Sequence, residues 1–313
     1  MSRRAVIDIG TNSVKVLVAD VAGGSVTPLW ETSEQTRLGR GFYETHRLQP
    51  EPIAATGVAV ARFAAEARER GAESVRVIAT SAARDAINRD ELLSAIFSAS
   101  GLITEVISGE TEAEWAFAGV ASAPDLARQR LLVLDVGGGS TEFILGADRH
   151  VGFRESFPLG SVRALERLNP GDAPSPEALA TCRAYLRDFL QREVAPRLAP
   201  AFAAQGRPER TLGVGGSTAL LALIHHGCRD FRRELVEATH FDRAMLSALV
   251  NRLWSLPLAE RRQLPGLPPE RADVILTGAA IYEAVLEVFA LPDLGISTRG
   301  LRFAAVLGVP VSK

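Results

Sequence analysis

Residues 7–20, IDIGTNSVKVLVAD, and residues 134–147, LDVGGGSTEFILGA, superimpose without a gap at an offset of 127, which sets Asp8, Gly10 and Ser13 against Asp135, Gly137 and Ser140. Each stretch runs from an apolar β-rich segment through a glycine-bearing turn into a second apolar segment, the pattern of a hairpin. A chain that builds this hairpin twice is constrained to two similar halves, each opening on the same device. Its 313 residues are long for one core and comfortable for two domains of ordinary size.

The flanking pattern repeats as well. After RAVIDIG and SVKVLVAD the first half has a Gly23-Gly24 turn and a third strand, SVTPLWET. Apolar residues then recur at helical spacing over 51–70 and stop at Gly71. VRVIAT reads as a strand, INRDELLSAIFSAS as a helix, ITEVIS as a strand and TEAEWAFAGVA as a helix, before the hinge-like ASAPDLARQR. The second half restarts with LLVLDVG, STEFILGA and HVGFRESF as three strands. It continues with a helix near 160–168, a longer one over 176–198, the strand RTLGVGG opening into TALLALIHH, and helices over 242–254 and 269–289. This spacing predicts α/β domains over 1–125 and 126–294 with a cleft between them, and a tail, 295–313, that returns to the first.

Composition narrows the partners. Hydrophobic residues make up 47% and charged residues 23%, which is globular rather than disordered. A net charge of −2 gives no overall pull toward nucleic acid or membrane, so a polyanion must be held by local groups. Two cysteines, Cys182 and Cys228, make no disulfide framework and suit a reducing cytosol. The start, MSRRAVIDIG, has no apolar h-region, and the apolar stretch 273–291 is short and carries Asp273, Glu283 and Glu287. The expectation is a cytoplasmic, soluble protein. His225, His226 and Cys228 lack the recurring spacing of a metal site.

The two hairpin turns carry the chemistry. Glycines allow a tight turn that presents backbone N–H groups, and neighbouring hydroxyls add donors, a combination suited to phosphate oxygens. This places Gly10, Thr11, Asn12 and Ser13 in one loop, and Gly137, Gly138, Gly139, Ser140 and Thr141 in the other. A third loop, with Gly215, Gly216 and Ser217, sits between a strand and a helix, where the helix N-terminus favours an anion. Asp8 and Asp135 would repel phosphate directly, yet they can hold Mg²⁺ through water, and the ion then bridges to it. No GxxxxGK[ST] motif is present, and GVGGST lacks the GxGxxG spacing of a dinucleotide fold. The two hairpins are therefore expected to grip one phosphate chain from both walls of a cleft.

DIGTNSVKVLV and LDVGGGSTEFILG resemble the two phosphate loops of the actin, Hsp70 and sugar-kinase superfamily. More closely, the chain resembles the exopolyphosphatase / guanosine pentaphosphate phosphohydrolase (Ppx/GppA) family. RLGRGF at 37–42, ATSAARDAIN at 79–88, EVISGETEAEWAFAGV at 105–120, FPLGSVRALE at 157–166, LGVGGSTALLAL at 212–223, LPPERADVILTGAAI at 267–281 and STRGLR at 297–302 follow in order. The resemblance implies two duplicated ribonuclease-H-like (actin-like ATPase) domains. It stops where the two-domain core ends, short of the helical extension of longer members, and Phe303 and Ala304 stand where the family has an acidic-glycine step.

Residue roles follow from the same resemblance. Glu112 matches the catalytic glutamate, which would deprotonate an attacking water, while Glu110 reads equally as a favourable acid in a helix first turn. Asp135 and Glu142 match metal-site acids, with Asp8 as a further member of that set. Arg84 matches an arginine that binds the substrate phosphates, a task suited to a planar guanidinium. Arg37, Arg40 and Arg163 are weaker candidates for the distal chain, each readable as an ordinary surface arginine. The implied activity is Mg²⁺-dependent release of terminal orthophosphate from inorganic polyphosphate, with Mn²⁺ as a substitute metal, K⁺ as a further stimulant and a homodimer as the implied assembly. The alternatives are hydrolysis of guanosine pentaphosphate (pppGpp), an ATP-dependent kinase of the same superfamily, and a catalytically silent nucleotide-binding regulator.

Overall fold

β1 (Ser2–Ile9) and β2 (Val14–Ala22) form the first hairpin, and β3 (Ser25–Glu34) extends it as an antiparallel meander. β4 (Ser74–Ala79) then pairs parallel to β1, and β5 (Thr104–Val106) parallel to β4, giving the order β3-β2-β1-β4-β5. The second meander is β6 (Leu131–Val136), β7 (Thr141–Ala147) and β8 (His150–Phe157). β9 (Arg210–Val214) joins β6 in parallel, β10 (His240–Asp242) precedes β11 (Asp293–Ile296) in the chain, and the order is β8-β7-β6-β9-β11-β10. Both sheets thus carry a meander on one side of the first strand and parallel strands on the other, with β10 added antiparallel at the edge of the second.

The computed structural model describes residues 1–308 as two units: Met1–Ser122 with the chain end from Leu301, and Ala123–Gly300. The second unit runs to Gly300, beyond residue 294, because β11 pairs with β9 as an interior strand of its sheet. Residues 309–313 of the expected tail lie outside the described residues.

Alternation along β1 explains its apolar run. Ile7 and Ile9 share a core with Val60 and Phe63 of the helix Pro50–Glu69 and Leu92 and Ile96 of the helix Arg89–Ser100. Val6 faces the opposite core, with Trp115 of the helix Gly109–Val120 and Phe303 of the helix Leu301–Leu307. A central strand covered on both faces reads as near-continuous hydrophobicity. Phe303 and Ala304 are buried core residues, and Arg302 anchors the same helix through Val16 C=O at 2.9 Å.

Two helix boundaries differ from the sequence reading. The helix expected over 176–198 is Pro176–Phe189, a π turn at Leu190–Val194, and Ala195–Gln205, ending at Gly206. The helix expected from 269 begins at Ile275, after a 3₁₀ turn at Pro269–Arg271; two successive prolines hold the preceding backbone away from the α region. Because β1 and β4 run parallel, as do β6 and β9, the loops leaving their C-terminal ends gather at one edge of each sheet.

Candidate functional site

In the second unit, Asp135 at the end of β6 stands directly opposite Glu142 at the start of β7. They are 9% and 1% exposed, and every other residue of β6 is buried and apolar. Two like charges facing one another across a ladder destabilise it unless something answers them. Ser140 Oγ and Ser156 Oγ donate to Glu142 Oε1 at 2.8 and 2.7 Å, an arrangement that treats this oxygen as an acceptor. The Ser140 hydroxyl, expected on phosphate, is thereby engaged in orienting the carboxylate. Thr141 Oγ1 donates to Leu159 C=O.

The loop between these strands is held by its carbonyls. Gly137 N–H donates to Ser140 C=O at 2.9 Å, which closes the turn. Ser161 N–H reaches Gly137 C=O at 2.9 Å, Val162 and Arg163 N–H reach Gly138 C=O at 2.9 and 3.0 Å, and Arg163 Nε reaches Gly139 C=O at 2.9 Å. The first turn of the helix Ser161–Leu168 thus satisfies its orphan donors on the loop. In a planar trans peptide the N–H points opposite to the C=O. Tying down these three carbonyls therefore turns the N–H groups of Gly138, Gly139 and Ser140 the other way, as a phosphate-binding loop requires. Gly160 makes this approach feasible, since a Cβ there would lie 2.4 Å from the Gly138 carbonyl atoms.

The third loop meets the same carboxylate. Gly215 has φ +88° and caps the helix Gly216–His226, and a Cβ on it would come 2.8 Å from Asp135 Oδ1. The N-terminus of that helix therefore opens beside Asp135. Arg271, 8% exposed, brings its guanidinium to 3.6 Å from where a Gly216 Cβ would stand. Sequence reasoning passed over Arg271; the available signal was a lone cation entering the apolar run ADVILTGAAI. Tyr282 lies beneath, fully buried, donating to Val214 C=O at 3.1 Å and accepting from Val136 N–H at 3.4 Å. Burial first, and Asp135 second, push its phenol well above the ordinary range, so it remains a proton donor.

In the first unit the corresponding turn is closed by Gly10 N–H on Ser13 C=O at 3.0 Å. Its carbonyls are tied by a different segment, Gly39 N–H to Thr11 C=O at 2.7 Å and Arg37 N–H to Asn12 C=O at 3.0 Å. The N–H groups of Asn12 and Ser13 are turned away in the same fashion. The Asn12 side chain donates to Gln35 Oε1 at 2.9 Å. Asp8 stands opposite Lys15, whose Nζ lies 3.9 Å from Oδ2, while Asp8 Oδ1 is buried with no hydrogen-bond partner.

Glu112 and Arg84 come together in the first unit. Ser108 caps the helix Gly109–Val120 by accepting Thr111 N–H, which sets Glu112 in the first turn at 7% exposure, while Glu110 is exposed. Arg84 Nη1 donates to Glu112 Oε2 at 3.0 Å and to Ile107 C=O at 3.3 Å, and its Nε lies 3.6 Å from Asp85. Of the other arginines, Arg40 forms an exposed pair with Glu51, and Arg163 is engaged on the Gly139 carbonyl. Among the described residues, no three His, Cys, Asp or Glu side chains form a metal-ligand cluster. The buried Asp135–Glu142 pair nevertheless fits a hard divalent cation, which takes carboxylate oxygens and completes its shell with water or phosphate.

Each unit has the sheet order of an actin-like domain, with glycine-bearing loops at the C-terminal edges of the parallel strands. Residues 17–308 match the model of the Ppx/GppA phosphatase family, and the chain belongs to that family. A protein named Exopolyphosphatase 2 from Mycobacterium tuberculosis is 34% identical over 292 residues, covering 90% of this chain and 89% of the relative. The crystal structure of an exopolyphosphatase from Cytophaga hutchinsonii matches with a TM-score of 0.88 at 26% identity, over 100% of both chains. The Aquifex aeolicus Ppx/GppA enzyme matches with a TM-score of 0.78 at 28% identity, over 98% of this chain and 99% of that one.

Proposed function

We propose that this protein is an exopolyphosphatase that removes terminal orthophosphate from inorganic polyphosphate with a bound divalent cation, Mg²⁺ in the first instance. The observation that carries the reading is the buried Asp135–Glu142 pair at the foot of a loop whose amides are turned outward. The names of the relatives support the substrate. When bound, the cation would neutralise charge on the terminal phosphate. Asp135 and Glu142 are the residues to hold it, with Asp8 of the first hairpin as a further candidate acid.

Glu112 then acts as general base. The water oxygen bonds to the terminal phosphorus, its proton passes to the Glu112 carboxylate, and the bridging P–O bond breaks with its electron pair leaving on the shortened chain. Arg84 orients Glu112 through Nη1, and its planar guanidinium suits a phosphate of the substrate. The amides of Asn12 and Ser13 in the first unit, and those of Gly138, Gly139 and Ser140 with the N-terminus of the Gly216 helix in the second, are the groups assigned to phosphate oxygens. No helix among the described residues is long and apolar enough to cross a membrane; a cytosolic setting and a homodimer complete the reading.

The test is orthophosphate release, measured side by side on long-chain polyphosphate, pppGpp, and ATP with a sugar acceptor. Release from polyphosphate, dependent on Mg²⁺, is the expected result. Turnover of pppGpp with polyphosphate untouched would overturn the substrate, and phosphate transfer to the acceptor would overturn the reaction class.

A further inference from the structure

β6 and β9 run parallel with Asp135 opposite Val214. The next ladder bond in that register would run from Val136 N–H to Val214 C=O. The Tyr282 hydroxyl occupies that place instead, accepting the N–H at 3.4 Å and donating to the carbonyl at 3.1 Å. The strands are therefore parted by one phenolic oxygen at the point where the two glycine loops depart. Both loops depend on this spacing, because Asp135 Oδ1 fits against Gly215 only with no side chain there.

Tyr282 belongs to the helix Ile275–Val288, whose N-terminal half grips the same two loops. Thr277 Oγ1 donates to Ser161 C=O at 2.7 Å, and Ser161 N–H in turn holds Gly137 C=O at 2.9 Å. A Cβ on Gly278 would stand 3.1 Å from Ser217 Oγ and 3.6 Å from Ser161 Cβ. One nearly all-buried helix thus touches the support of the hairpin loop, the start of the third loop and the wedge between their strands.

The geometry points to Tyr282 as a positioning residue: its hydroxyl sets the gap between the Gly137–Ser140 and Gly215–Ser217 loops, and with it the metal and phosphate geometry at Asp135. This rests on the proposed hydrolase reading for its kinetic arm only. Without the hydroxyl, Val136 N–H and Val214 C=O either close on each other, narrowing the gap, or lose their partner in a buried site.

The direct variant is Tyr282→Phe, which keeps the ring. Its affinity for Mn²⁺, titrated by electron paramagnetic resonance without substrate, is expected to fall about tenfold, as for other supports of metal ligands, with kcat falling alongside. A folded Tyr282→Phe protein with Mn²⁺ affinity, kcat and KM all within twofold of wild type overturns the assignment. If that variant does not fold, Gly278→Ala decides. The added Cβ presses Ser217, so KM or Mn²⁺ affinity should worsen severalfold in a protein whose melting curve shows it folded. Wild-type KM and Mn²⁺ affinity in Gly278→Ala would overturn it equally. A wild-type protein that binds Mn²⁺ yet leaves polyphosphate intact sinks the function and leaves this inference standing; one that binds no Mn²⁺ sinks both.

Discussion

The two hairpins share a turn and differ in what faces their aspartate. In the first, Asp8 stands opposite Lys15, and the charge is answered within the protein. In the second, at the same offset of 127, Asp135 stands opposite Glu142, and two buried carboxylates face each other. Backbone closure is the same in both, with Gly10 N–H on Ser13 and Gly137 N–H on Ser140. Duplication thus preserved the amide-presenting turn, while one cross-strand position set the two copies apart. The first copy sets a lysine against its aspartate, and the second sets a glutamate there, the pair to which the proposed cation is assigned.

The largest expected effect lies outside both hairpins. Glu112→Gln keeps the shape and the Arg84 contact but removes the proton acceptor, so kcat should fall roughly 10²–10⁴-fold while polyphosphate binding survives. Near-normal turnover would remove Glu112 from the role, and Glu110, exposed one turn-edge earlier, would be tested next. Arg84→Ala follows. Loss of a charge-assisted contact costs about 2–4 kcal/mol, and here it should raise KM and also lower kcat, because the guanidinium orients Glu112. An unchanged KM would contradict phosphate binding by Arg84.

The comparison itself is sharpened by a matched pair. Asp135→Asn should weaken metal affinity about 10–100-fold and be partly rescued by added Mg²⁺. Asp8→Asn should do so far less, since its partner is Lys15; equal losses in calorimetric titrations would erase the distinction between the hairpins. Lys15→Met carries the smallest effect, about 1 kcal/mol of stability from a half-buried pair, with the Mg²⁺ titration unmoved.

Much of this was legible in the sequence because the informative contacts are local. A hairpin brings residues 8 and 15, or 135 and 142, together within one turn, so repeat, register and Lys-for-Glu exchange are readable from spacing. Glu112 likewise sits one turn from its cap, Ser108. What escaped was non-local. Nothing near residue 140 in the chain announces that Ser156 shares Glu142, nor that Gly160 seats a helix N-terminus on the loop. Arg163, a weaker candidate in the sequence, donates to the Gly139 carbonyl, and Arg271 and Tyr282 act through strands and loops that lie far from them in sequence. The π turn at Leu190–Val194 keeps the same apolar residues inward, so the periodic pattern hides it.

The proposal that a cation is held at the Asp135–Glu142 pair is tested most directly by melting wild type and Glu142→Gln with and without Mg²⁺. Gln keeps an oxygen for Ser140 and Ser156 and removes one of the two facing charges. In metal-free buffer the variant should melt at or above wild type, because the like-charge pair is gone. With Mg²⁺ at about a hundred times its Kd, wild type should gain on the order of 5 °C and the variant little. Equal Mg²⁺ shifts in both proteins, or none in wild type, would contradict the account.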